Sequence, residues 1–286
     1  MVILVASHPR SGTHFLIDSI LQNFNGAVFP HIRPGFSAIE NLLLVHDKAC
    51  TEEFYNFVFG KGQENELRIC KTHVLVSELK DSLTKNGFLN EKDKEIINFL
   101  LYKAPKIYIT RDVRDTLVSL YHFERNGGGL FGNLKKRLAQ ASISEFLRLP
   151  NHLIFPCREF QEFDRNVVTY WVEHMRQWSK ENVVEIEYAD LKIDFEKSIR
   201  ELAQSIGASH LLKDKIKQPQ ISSIPSEIFS RMPQSIQNKV VNKTLTAVFP
   251  RKGVVGDHKT HFTKEDSLFI NQQAMVIQEG KEVKIS

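Results

Sequence analysis

The chain opens with a change from an apolar to an amphipathic pattern that predicts a strand, a tight loop and a helix. Val2–Ala6 is a continuous apolar run, and the residues from Ser7 onward are mostly polar. Apolar residues then return at helical spacing up to Asn25-Gly26, a pair typical of a helix stop. The members of this helical pattern are Leu16, Ile17, Ile20, Leu21 and Phe24.

Four further apolar runs predict buried strands, and helical patterns lie between them. The predicted strands are Leu67–Cys70, Lys106–Thr110, Val183–Glu187 and, as the shortest, Ala27–Phe29. The predicted helices are Asp93–Leu101, Thr116–Phe123, Val167–Trp178 and Phe195–Ile206, the last stopped by Gly207. Alternating strands and helices predict an α/β fold with a central parallel sheet flanked by helices, here as a single domain over residues 1–286.

In a parallel sheet, ligands bind at the carboxyl ends of the strands. Polar residues follow three of the predicted strands at this position: Lys71-Thr72-His73, Arg111-Asp112 and Tyr188-Ala189-Asp190. The sequence therefore predicts a functional site at this edge of the sheet.

The loop Ser7–Phe15 predicts an anion site, because the start of a helix presents free backbone N–H groups and a positive dipole end. Arg10, Ser11 and Thr13 add a positive charge and two hydroxyl groups there. The loop lacks the G-x-x-x-x-G-K-[ST] signature of nucleoside-triphosphate sites, since it has one glycine and no following lysine. A purely structural turn with hydroxyl caps remains an alternative.

Composition excludes several classes of function. The chain has 286 residues, 42% of them hydrophobic, with a net charge of +4 and no long Lys/Arg block, so nucleic acid is not an expected partner. No apolar stretch has membrane-spanning length and no secretory signal is present, so no membrane partner is expected. Three scattered cysteines suggest reduced thiols, and a cytoplasmic location is predicted.

Four motifs in order make the chain resemble the cytosolic-type sulfotransferases, which use 3′-phosphoadenosine 5′-phosphosulfate (PAPS) as donor and release 3′-phosphoadenosine 5′-phosphate (PAP). P-R-S-G-T lies near the start and K-T-H follows a strand. R-D-x-x-D-x-x-x-S-x-x-H-F spans Arg111 to Phe123, and R-K-G-x-x-G-D-x-K-x-x-F-T begins at Arg251. The resemblance runs from about residue 2 to about residue 270, and it implies the P-loop-like sulfotransferase fold.

The resemblance implies that the first loop holds the 5′-phosphosulfate. Arg10 matches a position usually held by lysine and would neutralise the bridging oxygen as the sulfuryl group leaves. The backbone and hydroxyl donors to the 5′-phosphate would be Ser11, Gly12, Thr13 and His14. Phe15 matches a tryptophan that stacks on adenine, and a role as a core residue is the open alternative.

The same resemblance places a second anion site for the 3′-phosphate. Arg111 and Ser119 match the pair that binds it, and the second clamp on the same phosphate would be Arg251, Lys252 and Gly253. Phe249 and Tyr188 match residues beside the adenine. Trp171 and Trp178 are expected in the core rather than at the ligand.

His73 matches the catalytic base, because imidazole titrates near neutrality and can take the proton of an alcohol, phenol or amine acceptor. Lys71 would hold the donor sulfate or the developing charge, with Arg10 and Ser119 assisting. Direct in-line transfer is expected, without a metal, because the two cations and the helix terminus supply positive charge. His258 stands where the family often has tryptophan.

Other features concern the acceptor and assembly. The acceptor is expected to be a small molecule, bound by loops at His31–Leu44, Gly127–Asn133 and Gln218–Asn238. The short chain without a leader looks more like a bacterial tailoring enzyme of secondary metabolism, such as those acting on cyanobacterial alkaloid toxins, than a vertebrate enzyme. Of the vertebrate dimer motif, Lys259 and Thr263 are present, but Lys264 and Leu268 replace its valine and glutamate. The oligomeric state is therefore open.

Two alternatives to a sulfotransferase remain from the sequence. A P-loop nucleoside or nucleotide kinase conflicts with the missing Gly-Lys-[Ser/Thr] and with the Arg251-Lys252-Gly253 segment. A non-catalytic binder of phosphoadenosine nucleotides would not need His73.

Overall fold

A computed structural model describes residues 1–30, 48–62, 65–84, 89–125, 141–150, 166–219 and 253–275. Five strands form a wholly parallel sheet with the order β2-β3-β1-β4-β5. The strands are β1 (Val2–Ala6), β2 (Ala27–Val28), β3 (Leu67–Thr72), β4 (Lys106–Thr110) and β5 (Val184–Glu187).

Helices cover both faces of this sheet. In chain order they are α1 (Thr13–Asn23), α2 (Lys48–Phe59), α3 (Val76–Thr84), α4 (Glu91–Tyr102), α5 (Val113–Arg125), α6 (Ile143–Arg148), α7 (Val167–Trp178), α8 (Tyr188–Ile193), α9 (Phe195–Ser205) and α10 (Lys264–Met275). Two short 3₁₀ helices span Ser209–Leu211 and Asp257–Thr260. Within the described parts of the chain, no helix combines the length and the apolar character needed to cross a bilayer.

The central strands alternate their side chains between two apolar cores, as the two-residue period of a strand requires. Ile3 and Val5 of β1 face a core shared with α1 and α9. Leu4 and Ala6 face the opposite core, shared with α2, α3 and α4. A third core joins α5, α6, α7 and α10 beyond the sheet. Both faces of the sheet are therefore covered, as is typical of parallel sheets.

The register brings the carboxyl ends of three strands together. Ala6, the last residue of β1, pairs with Thr72, the last of β3, and with Tyr108 of β4. The segments after these strands therefore meet at one edge of the sheet, and they contain residues 7–12, His73 and Arg111. This is the edge at which parallel α/β sheets bind ligands.

The predicted α/β fold with a parallel sheet is confirmed, and all five predicted strands are present. Lys71 and Thr72 were expected to follow β3, but they are its last two residues, because the pairing with β1 continues to Thr72. Tyr188 follows β5, as predicted, and is the first residue of α8. Trp171 and Trp178 are buried in the cores, as predicted.

Candidate active site

The loop between β1 and α1 has a conformation that depends on Gly12. Its φ is 104°, and a Cβ there would lie 2.4 Å from Cδ2 of Tyr188. A larger residue would therefore have a strained backbone and would also clash with the Tyr188 ring. Arg10 also has a positive φ, 73°, which is uncommon for a residue with a side chain. No side chain caps the N-terminus of α1. The structural alternative of hydroxyl caps is therefore wrong, and the positive end of α1 points into the site.

Arg10 is a partly buried cation in this loop. Its Nε donates to Oγ of Ser119 on α5 at 3.4 Å, and its guanidinium lies 4.5 Å from the centroid of the Phe123 ring. Burial and the nearby charge of Arg111 lower the pKa of Arg10 to about 10. Because burial and the neighbouring charge of Arg111 both disfavour the charged form of Arg10, a bound anion is expected to stabilise it.

Arg111 follows β4 and lies beside Arg10. Its Nη1 donates to the backbone carbonyl of Arg10 at 3.4 Å, and its guanidinium lies 4.9 Å from the ring centroid of Tyr188. Burial lowers the pKa of Arg111 despite nearby acidic groups. Its Nε is buried and makes no hydrogen bond to any residue that the structure describes. A buried donor without a partner is costly, so it indicates a place for a ligand oxygen.

Residues 253–258 run past Arg111 and are tied to the site by backbone hydrogen bonds. Tyr188 Oη donates to the carbonyl of Gly253 at 3.2 Å, and Nη2 of Arg111 donates to the carbonyl of Val254 at 3.0 Å. Oδ2 of Asp115 accepts from the N–H of Gly256 at 2.7 Å. Oδ1 of Asp115 accepts from the N–H of His258 at 3.0 Å and from its Nδ1 at 2.8 Å.

Asp115 is a buried carboxylate whose charge is satisfied by these donors. Burial alone would raise its pKa, but the hydrogen bonds from Gly256 and His258 and the charge of Arg111 lower it below the usual value. One atom each of Asp112, Asp115 and His258 lies within 4.8 Å of the others, a spacing that could hold a metal ion. The prediction of a metal-free site stays a prediction.

His73 lies directly after β3 with its ring turned toward the first loop. Nδ1 is 2.9 Å from the carbonyl oxygen of Ser7 and 3.1 Å from Ser7 Oγ, which in turn is 2.5 Å from Oγ1 of Thr13. Because a carbonyl oxygen can only accept, Nδ1 carries the proton and the lone pair of the neutral ring is on Nε2. This tautomer is the one that can take a proton at Nε2.

Three side chains of α7 hold the backbone of residues 73 and 74. His174 Nε2 donates to the carbonyl of His73 at 3.1 Å, with Tyr170 Oη at 3.5 Å from the same oxygen. Trp178 Nε1 donates to the carbonyl of Val74 at 3.0 Å. Since Nε2 of His174 donates, its Nδ1 accepts from Tyr108 Oη at 2.9 Å. The stripe at positions 170, 174 and 178 thus fixes the segment that carries His73.

Comparisons with known proteins identify the family. The model of the sulfotransferase domain matches residues 95–276. The chain belongs to the sulfotransferase domain family. Sulfotransferase 1E1 of the guinea pig, Cavia porcellus, is 26% identical over 279 residues, which cover 91% of this chain and 77% of the relative. Cytosolic sulfotransferase 7 of Arabidopsis thaliana is 22% identical over 302 residues, which cover 99% and 80%.

Solved structures agree on the fold. The mouse sulfotransferase SULT7A1, crystallised in complex with PAP, has a TM-score of 0.57 at 22% identity and covers 98% of this chain and 84% of its own. A retinol dehydratase in complex with retinol and PAP has a TM-score of 0.50 at 16% identity, with 99% and 82% covered. The predicted sulfotransferase fold is therefore confirmed. The family model confirms the predicted sulfotransferase family, and the kinase alternative is wrong.

The structure brings most of the predicted site residues of this sulfotransferase to the same edge of the sheet. Ser11, Gly12, Thr13, His14 and Phe15 form the loop and the first turn of α1. Phe15 packs edge-on against Tyr188 at a ring distance of 5.8 Å and against Phe195 at 6.1 Å, which favours the alternative of a core residue. Lys71 is buried at the end of β3, with its Nζ 5.8 Å from the ring centroid of Phe29.

Other predicted residues lie outside the described residues. These are Phe249, Arg251 and Lys252, whereas their neighbour Gly253 is described. The predicted acceptor loops at 31–44 and 127–133, and all but the first two residues of 218–238, also lie outside. Ser119 was predicted to bind the 3′-phosphate together with Arg111, and this stays a prediction; its hydroxyl accepts a hydrogen bond from Arg10.

Sequence reasoning missed Glu124, which is buried near Arg10 in the last turn of α5. Burial raises the pKa of Glu124 to about 7, although the charge of Arg10 opposes the shift. It also missed the contacts of Ser7, His174 and Asp115. The site now has two named parts: the Arg10 side (Arg10, His73, Ser119, Glu124) and the Arg111 side (Arg111, Asp115, Tyr188, residues 253–258).

Proposed function

We propose that this sulfotransferase moves the sulfuryl group of PAPS to a hydroxyl or an amine nitrogen of a small-molecule acceptor by direct in-line transfer, with His73 as general base. The carrying observation is the pair of partly buried guanidinium groups of Arg10 and Arg111 beside the uncapped start of α1. Burial lowers the pKa of both guanidinium groups, and the charge of Arg111 lowers the pKa of Arg10 further. Such a cluster is stabilised by a ligand with more than one anionic group.

The donor would lie along both sides of the site. Its 5′-phosphosulfate would be held by Arg10 and by the loop residues 11–14, at the positive end of α1. Its 3′-phosphate would be held by Arg111 and Ser119 together with Arg251, Lys252 and Gly253. The orphan Nε of Arg111 supports this assignment. The adenine would lie beside Tyr188, Phe249 and Phe15.

The transfer would proceed without a covalent enzyme intermediate. Nε2 of His73 takes the proton from the acceptor hydroxyl or amine as its oxygen or nitrogen bonds to sulfur. The bond between sulfur and the bridging oxygen breaks, and its electron pair stays on the 5′-phosphate of PAP. The Nδ1–H bond to Ser7 orients the ring and stabilises the imidazolium that forms.

Charge develops on the bridging oxygen as that bond breaks. Arg10 and Lys71 would neutralise it, and Ser119 would hold the Arg10 guanidinium through the Nε contact of 3.4 Å. We propose that no metal takes part, because these cations and the terminus of α1 already provide the positive charge that the leaving phosphate needs.

The test is the transfer of ³⁵S from labelled PAPS, in EDTA, to a panel of phenols, aliphatic alcohols, amines, and carbamoyl or guanidinium nitrogens. We expect labelled product with at least one class. His73→Ala should remove this transfer, whereas the matched control His210→Ala, an exposed histidine on a 3₁₀ helix, should retain it.

Three outcomes separate the hypotheses. Full turnover by His73→Ala would remove His73 as the base. Tight PAP binding without transfer to any acceptor would instead support the non-catalytic binder. Transfer that needs Mg²⁺ and is lost in EDTA would contradict a metal-free reaction.

A further inference from the structure

We propose that Asp115 and His258 are positioning residues that hold residues 253–258 against Arg111 and thereby set the selectivity of the site for a nucleotide with a 3′-phosphate. The inference rests on the proposed function, because it takes PAPS and PAP as the ligands. It adds two residues that do not themselves touch the donor.

The first observation is the number of hydrogen bonds on one carboxylate. Asp115 is 2% exposed and accepts from the N–H of Gly256, the N–H of His258 and Nδ1 of His258. Hydrogen bonds to a charged acceptor are stronger than neutral ones. The carboxylate therefore fixes both the backbone and the side chain of this segment.

The second observation is that the two valines of residues 253–258 have little packing to hold them. Val254 is 48% exposed and Val255 is 49% exposed, so their burial contributes little. Gly253 and Gly256 have positive φ values of 60° and 81°. A glycine-containing segment without a buried apolar anchor is conformationally free unless hydrogen bonds restrain it. The bonds to Asp115 supply that restraint.

The third observation is the position of the other end of the segment. The carbonyls of Gly253 and Val254 accept from Tyr188 and Arg111. Asp115 at one end and Arg111 at the other thus hold the same six residues. When Asp115 releases its end, the contact of Val254 with Arg111 loses its support, and the guanidinium that would bind the 3′-phosphate is less well placed.

The side chain of His258 also contacts the carboxylate of Asp115. Its imidazole donates from Nδ1 to Oδ1 of Asp115 at 2.8 Å. The ring also lies 6.5 Å from the ring of Phe262. The carboxylate of Asp115 therefore holds residues 253–258 through the His258 side chain as well as through backbone N–H groups.

The experiment measures the affinity of the full chain for PAP and for 5′-AMP, which lacks the 3′-phosphate, by isothermal titration calorimetry. Asp115→Asn keeps the size of the side chain but replaces one acceptor oxygen with a donor. We expect about a tenfold loss of PAP affinity, since charge-assisted hydrogen bonds are lost. The affinity for 5′-AMP should change less than about twofold, so the ratio of the two affinities falls.

Asp112→Asn is the matched control. Asp112 accepts from the N–H groups of Arg114 and Asp115 at the start of α5 and pairs with Arg114. Its Oδ1 is 3.7 Å from Nδ1 of His258, which is beyond hydrogen-bond distance. Its replacement therefore removes the same charge but keeps the hydrogen bonds between Asp115 and residues 253–258. The PAP to 5′-AMP ratio of this variant should stay within about twofold of wild type.

A second pair of variants keeps the test valid if Asp115→Asn does not fold. His258→Asn retains a donor near the Nδ1 position and should preserve the ratio, whereas His258→Leu should lower it about threefold. An equal loss of PAP and 5′-AMP affinity, or an unchanged ratio in Asp115→Asn and His258→Leu, would overturn the inference. A wild-type protein that does not prefer PAP to 5′-AMP would overturn the proposed function and this inference with it.

Discussion

The Arg10 side and the Arg111 side each contain a buried carboxylate of α5, and the pKa values of the two are shifted in opposite directions. Asp115, in the first turn of α5, accepts three hydrogen bonds, and its pKa is lowered. Glu124, in the last turn, is buried, and its pKa is raised to about 7. Burial opposes ionisation in both. For Asp115, the hydrogen bonds from Gly256 and His258 outweigh burial and lower the pKa. For Glu124, burial outweighs the charge of Arg10, and the pKa is about 7.

The difference separates a fixed part of the site from a part poised to change charge. On the Arg111 side the acid is ionised across the physiological pH range and holds a backbone segment. On the Arg10 side, the proposed transfer moves charge around Arg10 and His73, and Glu124 has a pKa of about 7. The two sides should therefore respond independently to substitution.

The largest effect should come from His73→Ala on the Arg10 side. Loss of a general base lowers turnover by about 10²–10⁴-fold, measured as ³⁵S transfer from PAPS. PAP affinity should stay within about threefold of wild type, because the ring would contact the acceptor rather than the nucleotide. A collapse of PAP affinity together with turnover would break the comparison, since His73 would then belong to the nucleotide site.

Neutralising the two carboxylates of α5 should change stability in opposite directions. An unfolded glutamate has a pKa of about 4.3, so the folded state with a pKa of about 7 binds the proton more tightly. Stability from this group therefore falls as the pH rises from about 4 to about 7. Glu124→Gln removes that loss and should be more stable than wild type at pH 8 by roughly 3 kcal/mol, with the gain shrinking toward pH 4.5.

Asp115→Asn provides the opposing case. The pKa of Asp115 is lowered on folding, so its contribution is present above the unfolded value of about 3.9 and is lost only as the pH falls through the folded one. The variant should be less stable than wild type at pH 8. Urea unfolding at pH 4.5 and pH 8 measures both variants, and changes of the same sign at pH 8 would contradict the comparison.

The smallest of these effects should come from His174 on α7. His174→Leu removes the donor to the His73 carbonyl and should lower turnover about tenfold, the cost of roughly one buried hydrogen bond. His174→Gln keeps a donor near Nε2 and should stay close to wild type. In a His73→Ala background, His174→Leu should cause no further loss, because its effect acts through His73. Equal losses in both backgrounds would show general destabilisation.

The sequence predicted the sheet well because buried parallel strands are continuous apolar runs, such as Val2–Ala6 and Lys106–Thr110. It predicted the helix Val167–Trp178 with the bounds that the structure has. The predicted helices did not include α2, α3, α6, α8 and α10. Of these, α8 follows β5 without a turn, and the residues of α10, Lys264–Met275, show little periodicity. Short or weakly patterned helices form mainly through tertiary packing, which local pattern does not reveal.

For the site, motifs identified Arg10, His73, Arg111 and Ser119 but not the contacts of His174 and Asp115. His174 lies 101 residues from His73, and Asp115 lies 143 residues from His258. Such contacts depend on how distant segments meet in the fold. A signal was nevertheless present: Tyr170, His174 and Trp178 recur every four residues and place polar atoms on one face of α7.

The central claim is that the Arg10–Arg111 pair binds a nucleotide with phosphates at both ends. The most direct measurement is the thermal unfolding of the full chain in EDTA with PAP, 5′-AMP or sulfate at equal concentration. At 100 times its dissociation constant, PAP should stabilise the protein by about 2.7 kcal/mol and raise the melting temperature by about 5 °C or more, well above the rise with 5′-AMP or sulfate. A rise with PAP no larger than that with 5′-AMP would contradict the account.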